Sequence, residues 1–381
     1  MNAGGVPAGC TKMKNSLASW TIAHFAVDMS CFYILYRGVE QLYVAVNWSH
    51  YHDLLGIAFL LYNVLAFGLQ IIFGSLSDRF PRLEKILGLE GLDLMLIPLI
   101  MIWISQGPAA SWISMIMAAI LNAAFHVGGG VSVIRRSAGK TAPSGIFVSS
   151  GALGVIAGTI CGLSGRGAFL PVFIVLVATV MVFLTTDNWA MDLVNYERRG
   201  EKGEKFPSPA RNYIRFDTIK TGTAFAAGCM FFAVLIRSYA GFIWPLGFEK
   251  EGLLILLIPI ASCLGKALGG VAADRFGAVE TASVSLVISV LLFLMGYGSW
   301  IVMGLAVMFF NMAMPVTLVG LVSAMPDNVG FAFGLSTLAL LAGYLVYAFV
   351  RLPEAEVSYV VAFLGIAAVV LIAASLRRKN R

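Results

Sequence analysis

The sequence predicts an all-α polytopic membrane protein with twelve transmembrane helices in two pseudo-symmetric six-helix halves. Three observations support this fold class. Of the 381 residues, 59% are hydrophobic and only 12% are charged, twelve apolar runs are long enough to span a bilayer, and one loop motif occurs once in each half. A soluble domain would carry about a quarter charged residues. The composition therefore excludes a soluble protein, and twelve spans of about 20 residues leave no room for a separate soluble domain.

The apolar runs predict the helices one by one, because each run holds the roughly 20 residues that are needed to cross the hydrocarbon core. The expected helices, numbered 1 to 12 in chain order, are 18–37, 53–75, 84–104, 111–134, 144–164, 167–186, 218–245, 252–273, 279–297, 299–322, 328–350 and 356–376. One long polar stretch separates the first six from the last six. We therefore expect an N-terminal half at 1–190, a cytoplasmic linker at 191–217 and a C-terminal half at 218–381.

The distribution of Lys and Arg between the loops predicts the orientation. With a cytoplasmic N-terminus, most of the 26 basic residues fall on the cytoplasmic side, at the two ends, in the linker and in the even-to-odd loops. Cytoplasmic loops of membrane proteins carry such an excess. Both termini are therefore expected in the cytoplasm, with the chain in the plasma (inner) membrane. The net charge of +6 has this membrane explanation, so nucleic acid is not an expected partner.

The two halves carry related sequence patterns. Residues 74–80 and 270–276 both read Gly-x-x-x-Asp-Arg-Phe, after helix 2 and after helix 8. The pattern Phe-x-x-Leu-x-Arg ends at Arg37 in helix 1 and again at Arg237 in helix 7. Duplicated six-helix halves are typical of secondary transporters, whose substrate path lies between the repeats. The repeat therefore favours transport over the other membrane functions.

On these motifs, the chain resembles the transporters of the major facilitator superfamily over nearly its whole length. The family's loop motif is Gly-x-x-x-Asp-Arg-x-Gly-Arg, and here Pro81 replaces its second glycine while Ala278 replaces the last arginine of the second copy. The resemblance implies that this loop latches the two halves on the cytoplasmic side, with each Asp facing the positive N-terminus of a neighbouring helix. The expected latch residues are Gly74, Asp78, Arg79, Arg82, Gly270, Asp274 and Arg275.

Two further patterns bear on the subfamily and on the direction of transport. His24-Phe25-x-x-Asp28 and Phe125-His126-x-Gly-Gly resemble the fosmidomycin-resistance-like drug exporters. Helix 5 carries glycines at residues 151, 154, 158 and 162, three or four positions apart, but it lacks the proline that antiporters of the superfamily carry there. The stripe hints at efflux, and close packing of small residues between helices is its other interpretation.

Ionisable groups inside a membrane span are costly, so each is a functional candidate. Helix 1 carries His24 and Asp28, four residues apart and therefore on one helix face. Helix 4 carries Asn122 and His126 at the same spacing and at matching depths. The resemblance implies that helices 1, 4, 7 and 10 line the central cavity, which would bring these side chains face to face.

This set of side chains has three interpretations. In the first, Asp28 carries the coupling proton while His24 and His126 tune or relay it. In the second, the same three residues bind a divalent metal cation through nitrogen and oxygen ligands. In the third, hydrogen bonds merely satisfy buried polar groups.

Two arginines and one lysine inside the spans are further candidates. Arg37 and Arg237 both lie near the external ends of outward-running helices, where Arg37 can snorkel to lipid headgroups and Arg237 can face the cavity as an anion-binding or gating residue. Lys266, two turns before Asp274, is expected near the cytoplasmic latch. Asn311 in helix 10 corresponds to Asn122 and is a further cavity candidate.

Taken together, the sequence predicts a secondary active transporter that moves a small solute by alternating access and is coupled to protons, and it leaves the direction of transport open, with efflux hinted at by helix 5. The alternatives are uptake of a small organic anion recognised by Arg237 and transport of a divalent metal. No phosphate-binding loop for ATP is present, and no nucleophile–base set or HExxH motif points to an enzyme. We expect no cofactor, a monomer, and small solutes or ions, protons and the lipid bilayer as partners.

Overall fold

The structure, a computed structural model, describes residues 8–47, 50–137, 139–186, 223–243, 256–295, 299–350 and 352–376. In these ranges the chain forms twelve long helices. They are α1 (Ala8–Val46), α2 (Tyr51–Arg79), α3 (Pro81–Ile104), α4 (Pro108–Arg136), α5 (Ala142–Leu163), α6 (Phe169–Thr186), α7 (Thr223–Ile243), α8 (Leu257–Phe276), α9 (Ala278–Met295), α10 (Trp300–Ala324), α11 (Val329–Phe349) and α12 (Glu354–Ser375).

Eleven of these helices, α2 to α12, are long and apolar enough to cross a membrane. The remaining helix, α1, has 39 residues, and its polar side chains make it less apolar. The expected all-α, twelve-helix architecture of an integral membrane protein is confirmed. The expected linker at 191–217 lies outside the described residues.

The helices form two bundles of six. Equivalent helices pack in the same way within each bundle, and two equivalent pairs of helices join the bundles. In the first bundle α1 packs against α4, α5 and α6, and in the second α7 packs against α10, α11 and α12. Between the bundles, α2 packs along α11 and α5 packs along α8. Helices 2 and 8 are equivalent by the repeat, as are helices 5 and 11. The two pairings are therefore related by the same pseudo-twofold axis, as expected of duplicated halves.

Two helices are interrupted, and proline accounts for both breaks. Helix α3 is broken at Leu94, four residues before Pro98. Helix α10 is broken at Met312, next to Asn311, which lies four residues before Pro315. A proline removes the hydrogen bond to the residue four positions earlier and its ring crowds that carbonyl. The α10 break lies beside the cavity described below.

The first helix is longer than its apolar run predicts. It was expected at 18–37 and extends over Ala8–Val46. Its outer part is held by buried polar contacts: the Gln41 amide donates to the carbonyl of Ile102 at 2.9 Å, and Ser111 Oγ donates to Gln41 Oε1 at 2.9 Å. The expected helix was too short because hydropathy treats polar residues as exposed to water. Here these polar residues are instead buried against α3 and α4.

Candidate functional site

The polar side chains of α1 and α4 meet in the interior of the first bundle. The carboxylate of Asp28 accepts a hydrogen bond from Asn122 Nδ2 at 2.9 Å. His24 Nε2 lies 3.2 Å from Asp28 Oδ2, and His126 Nε2 lies 3.8 Å from Asp28 Oδ1. The two Nε2 atoms are 2.9 Å apart. Asp28 is 7% exposed and His24 is 4% exposed, so this cluster is shielded from water on most sides.

The helical spacing explains why these four side chains converge. His24 and Asp28 are one turn apart on α1, and Asn122 and His126 are one turn apart on α4, so each pair occupies one helix face. The two faces are turned toward each other where α1 packs against α4. The structure thus brings together all four residues that the sequence singled out in these helices.

The hydrogen bonds on the far side of each imidazole fix where the ring protons lie. His24 Nδ1 is 2.7 Å from the carbonyl of Phe147, and His126 Nδ1 is 2.9 Å from the carbonyl of Asn122. A carbonyl oxygen only accepts, so each Nδ1 carries a hydrogen. In the neutral rings both Nε2 atoms would then present lone pairs to each other and to the Asp28 carboxylate. This geometry needs a cation among the three groups: a proton on an imidazole or on the carboxylate, or a metal ion.

Glycines of α5 form the wall behind this cluster. A Cβ placed at Gly151 would lie 2.5 Å from Asp28 Oδ2 and 2.6 Å from His24 Nε2, and at Gly158 it would collide with the backbone of Met29. Only glycine therefore allows α5 to lie this close to α1. The glycine stripe of helix 5 is a packing surface against α1, which accounts for it without any role in the direction of transport.

Aromatic rings close the cluster from the remaining sides. The ring of Phe147 stacks on His24 with centroids 4.5 Å apart, and His126 meets His24 edge to face at 4.6 Å. Phe125 lies 6.1 Å from His24 and is fully buried. Apolar rings lower the local dielectric, so the attraction between the Asp28 carboxylate and any bound cation is stronger here than in water.

A second polar site lies in the other bundle. A cavity of about 240 Å³ is bounded by α7, α8, α10 and α11. Its lining residues are Val234, Arg237, Ser238, Gly241, Phe242, Ile258, Ser262, Lys266, Phe310, Asn311, Met314, Thr317, Ser336 and Leu340. Arg237 and Asn311, both sequence candidates, are among them. The amide of Asn311 also donates to Ser262 Oγ at 3.3 Å and to the carbonyl of Val307 at 2.9 Å.

Arg237 is the buried cation of this cavity. It is 7% exposed, its Nη1 lies 3.3 Å from Thr317 Oγ1, and its Nη2 lies 3.4 Å from the carbonyl of Phe310. Its guanidinium sits over the ring of Phe310 at 5.3 Å. Its Nε has no hydrogen-bond partner. In the described part of the chain no carboxylate pairs with Arg237.

Lys266 was missed as a cavity residue by the sequence analysis, which placed it near the latch. Its backbone does lie there, since the Lys266 carbonyl approaches Gly145 of α5. Its side chain lines the cavity instead, together with Arg237.

Arg37 lies apart from both sites. Its guanidinium pairs with Glu40, one turn further along α1, and it lies near Gly165 in the connection between α5 and α6. It is not among the residues that line the cavity of the second bundle. Its carboxylate partner gives it a local role at the end of α1.

The two copies of the loop motif make equivalent contacts between the bundles. Asp78 accepts hydrogen bonds from the backbone N–H groups of Gly330 at 2.8 Å and Phe331 at 2.7 Å, at the N-terminus of α11. Asp274 accepts from the N–H groups of Thr141 at 2.6 Å and Ala142 at 3.0 Å, at the N-terminus of α5.

Each of these carboxylates supplies a cap that the partner helix lacks. Neither Thr141 nor Asn328, the N-cap residues of α5 and α11, makes a side-chain cap hydrogen bond of its own. The first N–H groups of a helix have no partner inside it and attract negative charge. An aspartate of the opposite bundle therefore satisfies each helix start.

The glycines and arginines of the motif have separate roles. Gly74 touches the backbone of Gly330, and Gly270 touches the backbone of Ala142, so the bundles meet where no side chain intervenes. Arg79 and Arg275 each lie over the next residue's ring, 5.7 Å from Phe80 and 5.5 Å from Phe276. Both arginines are exposed and pack locally.

An ion-pair network behind Asp78 was not predicted from the sequence. Arg135 Nη2 lies 3.2 Å from Asp78 Oδ1, and its Nη1 lies 2.6 Å from Glu84 Oε2. Ser132 donates to Glu84 Oε1 at 2.6 Å. Three helices, α2, α3 and α4, are thereby tied together at the end of the bundle where Asp78 caps α11. We call this end, which holds the loops after α2 and α8, the latch end.

Comparison with known proteins gives no match in sequence but clear matches in structure. No protein-family model matches the chain, and no curated protein matches it. The human organic anion transporter MFSD10 (TETRAN) is 17% identical with a TM-score of 0.64, over 94% of this chain and 99% of that one. A variant of the E. coli fucose:proton symporter FucP is 12% identical with a TM-score of 0.64, over 95% and 98% of the two chains.

FucP in the outward conformation, described as a Major Facilitator Superfamily transporter, is likewise 12% identical with a TM-score of 0.61, over 94% of this chain and 99% of that one. At such identities the likeness concerns the fold and not the substrate. The matches extend over nearly the whole of each chain and agree with the six-plus-six helices and their exchanged pairings. This chain therefore has the major facilitator fold.

Proposed function

We propose that this protein is a secondary active transporter, which moves a small solute by alternating access and couples that movement to a proton held by Asp28, His24 and His126. The observation that carries the proposal is the convergence of both Nε2 atoms and the Asp28 carboxylate, while each Nδ1 donates to a backbone carbonyl. One added proton turns this repulsive set into an imidazolium beside a carboxylate.

The contacts between the bundles support alternating access. The carboxylate caps of Asp78 and Asp274 are at the latch end, which the Lys and Arg bias predicts to be cytoplasmic. These contacts are a few charge-assisted hydrogen bonds to helix ends and glycine contacts, which can form and break as units. A transporter that rocks its two halves around a central site needs such a reversible closure.

The proposal is tested with the full chain reconstituted in liposomes that contain a pH-sensitive dye. Amphipathic drugs, small organic anions and divalent cations are added one at a time. We expect at least one solute to move protons across the membrane, and to accumulate against its own gradient when a pH gradient is imposed. A channel would only equilibrate the solute and a sensor would move none. The absence of gradient-driven accumulation for every class would contradict the proposal.

A metal ion is the second candidate for the cation of this cluster. One ligand atom from each of His24, Asp28 and His126 lies within 4.8 Å of the others. Imidazole nitrogens and a carboxylate suit Zn²⁺. In tetrahedral Zn²⁺ sites two nitrogen ligands lie about 3.3 Å apart, as follows from Zn–N bonds of about 2.0–2.1 Å, whereas the Nε2 atoms are 2.9 Å apart. The unloaded geometry therefore favours the proton.

Zinc is nevertheless expected to compete with the proton for this cluster. Addition of Zn²⁺ at neutral pH should raise the Tm of the wild-type protein by a few degrees, roughly in line with binding linkage, and it should slow proton movement. His126→Ala should abolish the Tm shift, because it removes one of the three ligands.

His50→Ala is the matched control, since His50 is exposed and pairs only with the exposed Asp53. It should leave the Tm shift intact. Uptake of Zn²⁺ itself into the liposomes, dependent on His126, would make the metal the transported solute and would replace the proton proposal.

A further inference from the structure

We infer that the cavity of the second bundle binds the oxyanion group of a small organic anion, a carboxylate or a phosphoryl group, between Arg237 and Lys266. This inference rests on the proposed transport function, because it names the class of solute that would be moved. It goes beyond the sequence-based alternative by giving the anion a second cation and a defined cavity.

The charge balance of the cavity carries the first step. Two cationic side chains line it, and none of its lining residues is acidic. Within the described residues neither cation has a carboxylate within ion-pair distance. The buried carboxylate of Asp28, in the first bundle, already faces Asn122 and the two histidines. Two uncompensated cations inside a membrane span are costly, and an anion would offset that cost.

The hydrogen bonds of Arg237 carry the second step. Its Nη atoms make long contacts of 3.3 and 3.4 Å with neutral acceptors, and its Nε makes none. A buried donor without a partner costs free energy, so a ligand acceptor at this position is favoured. The planar fork of the guanidinium matches the two oxygens of a carboxylate or phosphoryl group.

The position of Arg237 is fixed before any ligand binds. The Phe310 ring lies under the guanidinium at 5.3 Å, which is a favourable cation–π arrangement. The Phe310 carbonyl, near the break in α10, lies 3.4 Å from Nη2. A cation held in this way loses little freedom on binding, which favours affinity.

The rest of the lining indicates the body of the ligand. Phe242, Ile258, Met314 and Leu340 are apolar, whereas Ser262 and Thr317 offer hydroxyl groups. The volume of about 240 Å³ suits a small organic molecule, and such sites combine apolar walls with a few polar groups that orient the ligand. An inorganic anion would leave these apolar walls without a partner.

Benzoate and benzamide form a matched pair of probes, because they differ in charge and not in shape. Binding to the purified full-length protein is measured by isothermal titration, with no membrane gradient. We expect benzoate or phenyl phosphate to bind with a millimolar or lower Kd, and benzamide and benzylamine to bind at least about tenfold more weakly, as expected for the loss of a charge-assisted contact. Chloride should not compete at equal concentration.

The variants test which cations are responsible. Arg237→Gln and Lys266→Gln should each weaken benzoate binding about tenfold or more. Arg237→Lys should recover part of it, because it restores charge without the fork. Arg166→Gln is the control, since Arg166 is exposed and donates to the carbonyl of Trp103; it should bind benzoate as the wild type does. The Tm of each variant, measured without ligand, shows that it is folded.

The inference is overturned if benzoate and benzamide bind equally, if no anion binds, or if both Gln variants bind as the wild type does. These results would leave the transport function standing, provided a neutral or cationic solute drives proton movement in liposomes. Conversely, anion binding that depends on Arg237 and Lys266 without any gradient-driven accumulation would support the anion site and contradict transport.

Discussion

Asp28→Asn is expected to lower proton-coupled accumulation of solute by about a hundredfold or more, because it removes both the carboxylate and the need for a cation beside it. An asparagine in this place can donate an amide hydrogen to His24 Nε2, which lies 3.2 Å from Asp28 Oδ2. Its oxygen can still accept from Asn122, as Asp28 does at 2.9 Å. The variant therefore removes the negative charge that holds a proton in the cluster and gives His24 a neutral donor instead.

The same variant should keep solute exchange, which requires the halves to rock but no net proton transfer. Radiolabelled solute inside and outside the liposomes measures this exchange at equal pH. Asp53→Asn is the control, because Asp53 is exposed in the first turn of α2 and pairs only with His50. If Asp28→Asn accumulated solute as the wild type does, the assignment of Asp28 as the proton carrier would be wrong. Loss of exchange together with accumulation would instead indicate a damaged fold.

The overall fold could be predicted from the sequence because apolar runs and an internal repeat are patterns that extend over many residues. Twelve apolar runs predicted twelve helices, and the repeated Gly-x-x-x-Asp-Arg-Phe pattern predicted the duplication. The convergence of His24, Asp28, Asn122 and His126 could also be expected, since their spacing defined two helix faces. The resemblance to a known family supplied the step that placed helices 1 and 4 face to face.

Lys266 shows where this reasoning stopped. Its equivalent in the first half is Gln70, whose amide bonds to the Ala66 carbonyl of its own helix at 2.7 Å. Position along the helix therefore suggested a role near the latch. Which way a side chain leaves the helix depends on the crossing of α8 with α5 and α10, and no local pattern encodes that crossing. The signal that could have placed Lys266 in the cavity is its charge, which lies between two apolar turns of α8.

The network of Arg135 and Glu84 was missed for a similar reason. Glu84 is the first residue of expected helix 3 and Arg135 directly follows expected helix 4, and charges at such helix ends are ordinarily solvated. Their pairing at 2.6 Å, and the contact of Arg135 with Asp78 at 3.2 Å, depend on how α2, α3 and α4 meet. Arg135 lies more than fifty positions after both Glu84 and Asp78 in the sequence, and no spacing rule links residues so far apart.

Asp78→Asn is expected to open the latch end, with a shift of about ten- to a hundredfold in the ratio of open to closed states, as follows from losing charge-assisted hydrogen bonds. Asp78 accepts from two N–H groups of α11 and from Arg135, and only 6% of its side chain is exposed. Asp274 caps α5 through two N–H groups but is exposed. Asp274→Asn should therefore shift the ratio less, because water replaces part of the lost contact.

Distances between spin labels at Ile86 on α3 and Val284 on α9 report this opening, in protein whose native cysteines have been replaced. Both positions are exposed and lie in opposite bundles near the latch end, so labels there leave the caps intact. Asp93→Asn is the control, because the Asp93 carboxylate accepts only from Leu94 of its own helix region at 2.7 Å. It should leave the distance distribution unchanged. If Asp78→Asn and Asp93→Asn gave the same distribution, the two carboxylate caps would not control closure, and the glycine contacts alone would have to account for it.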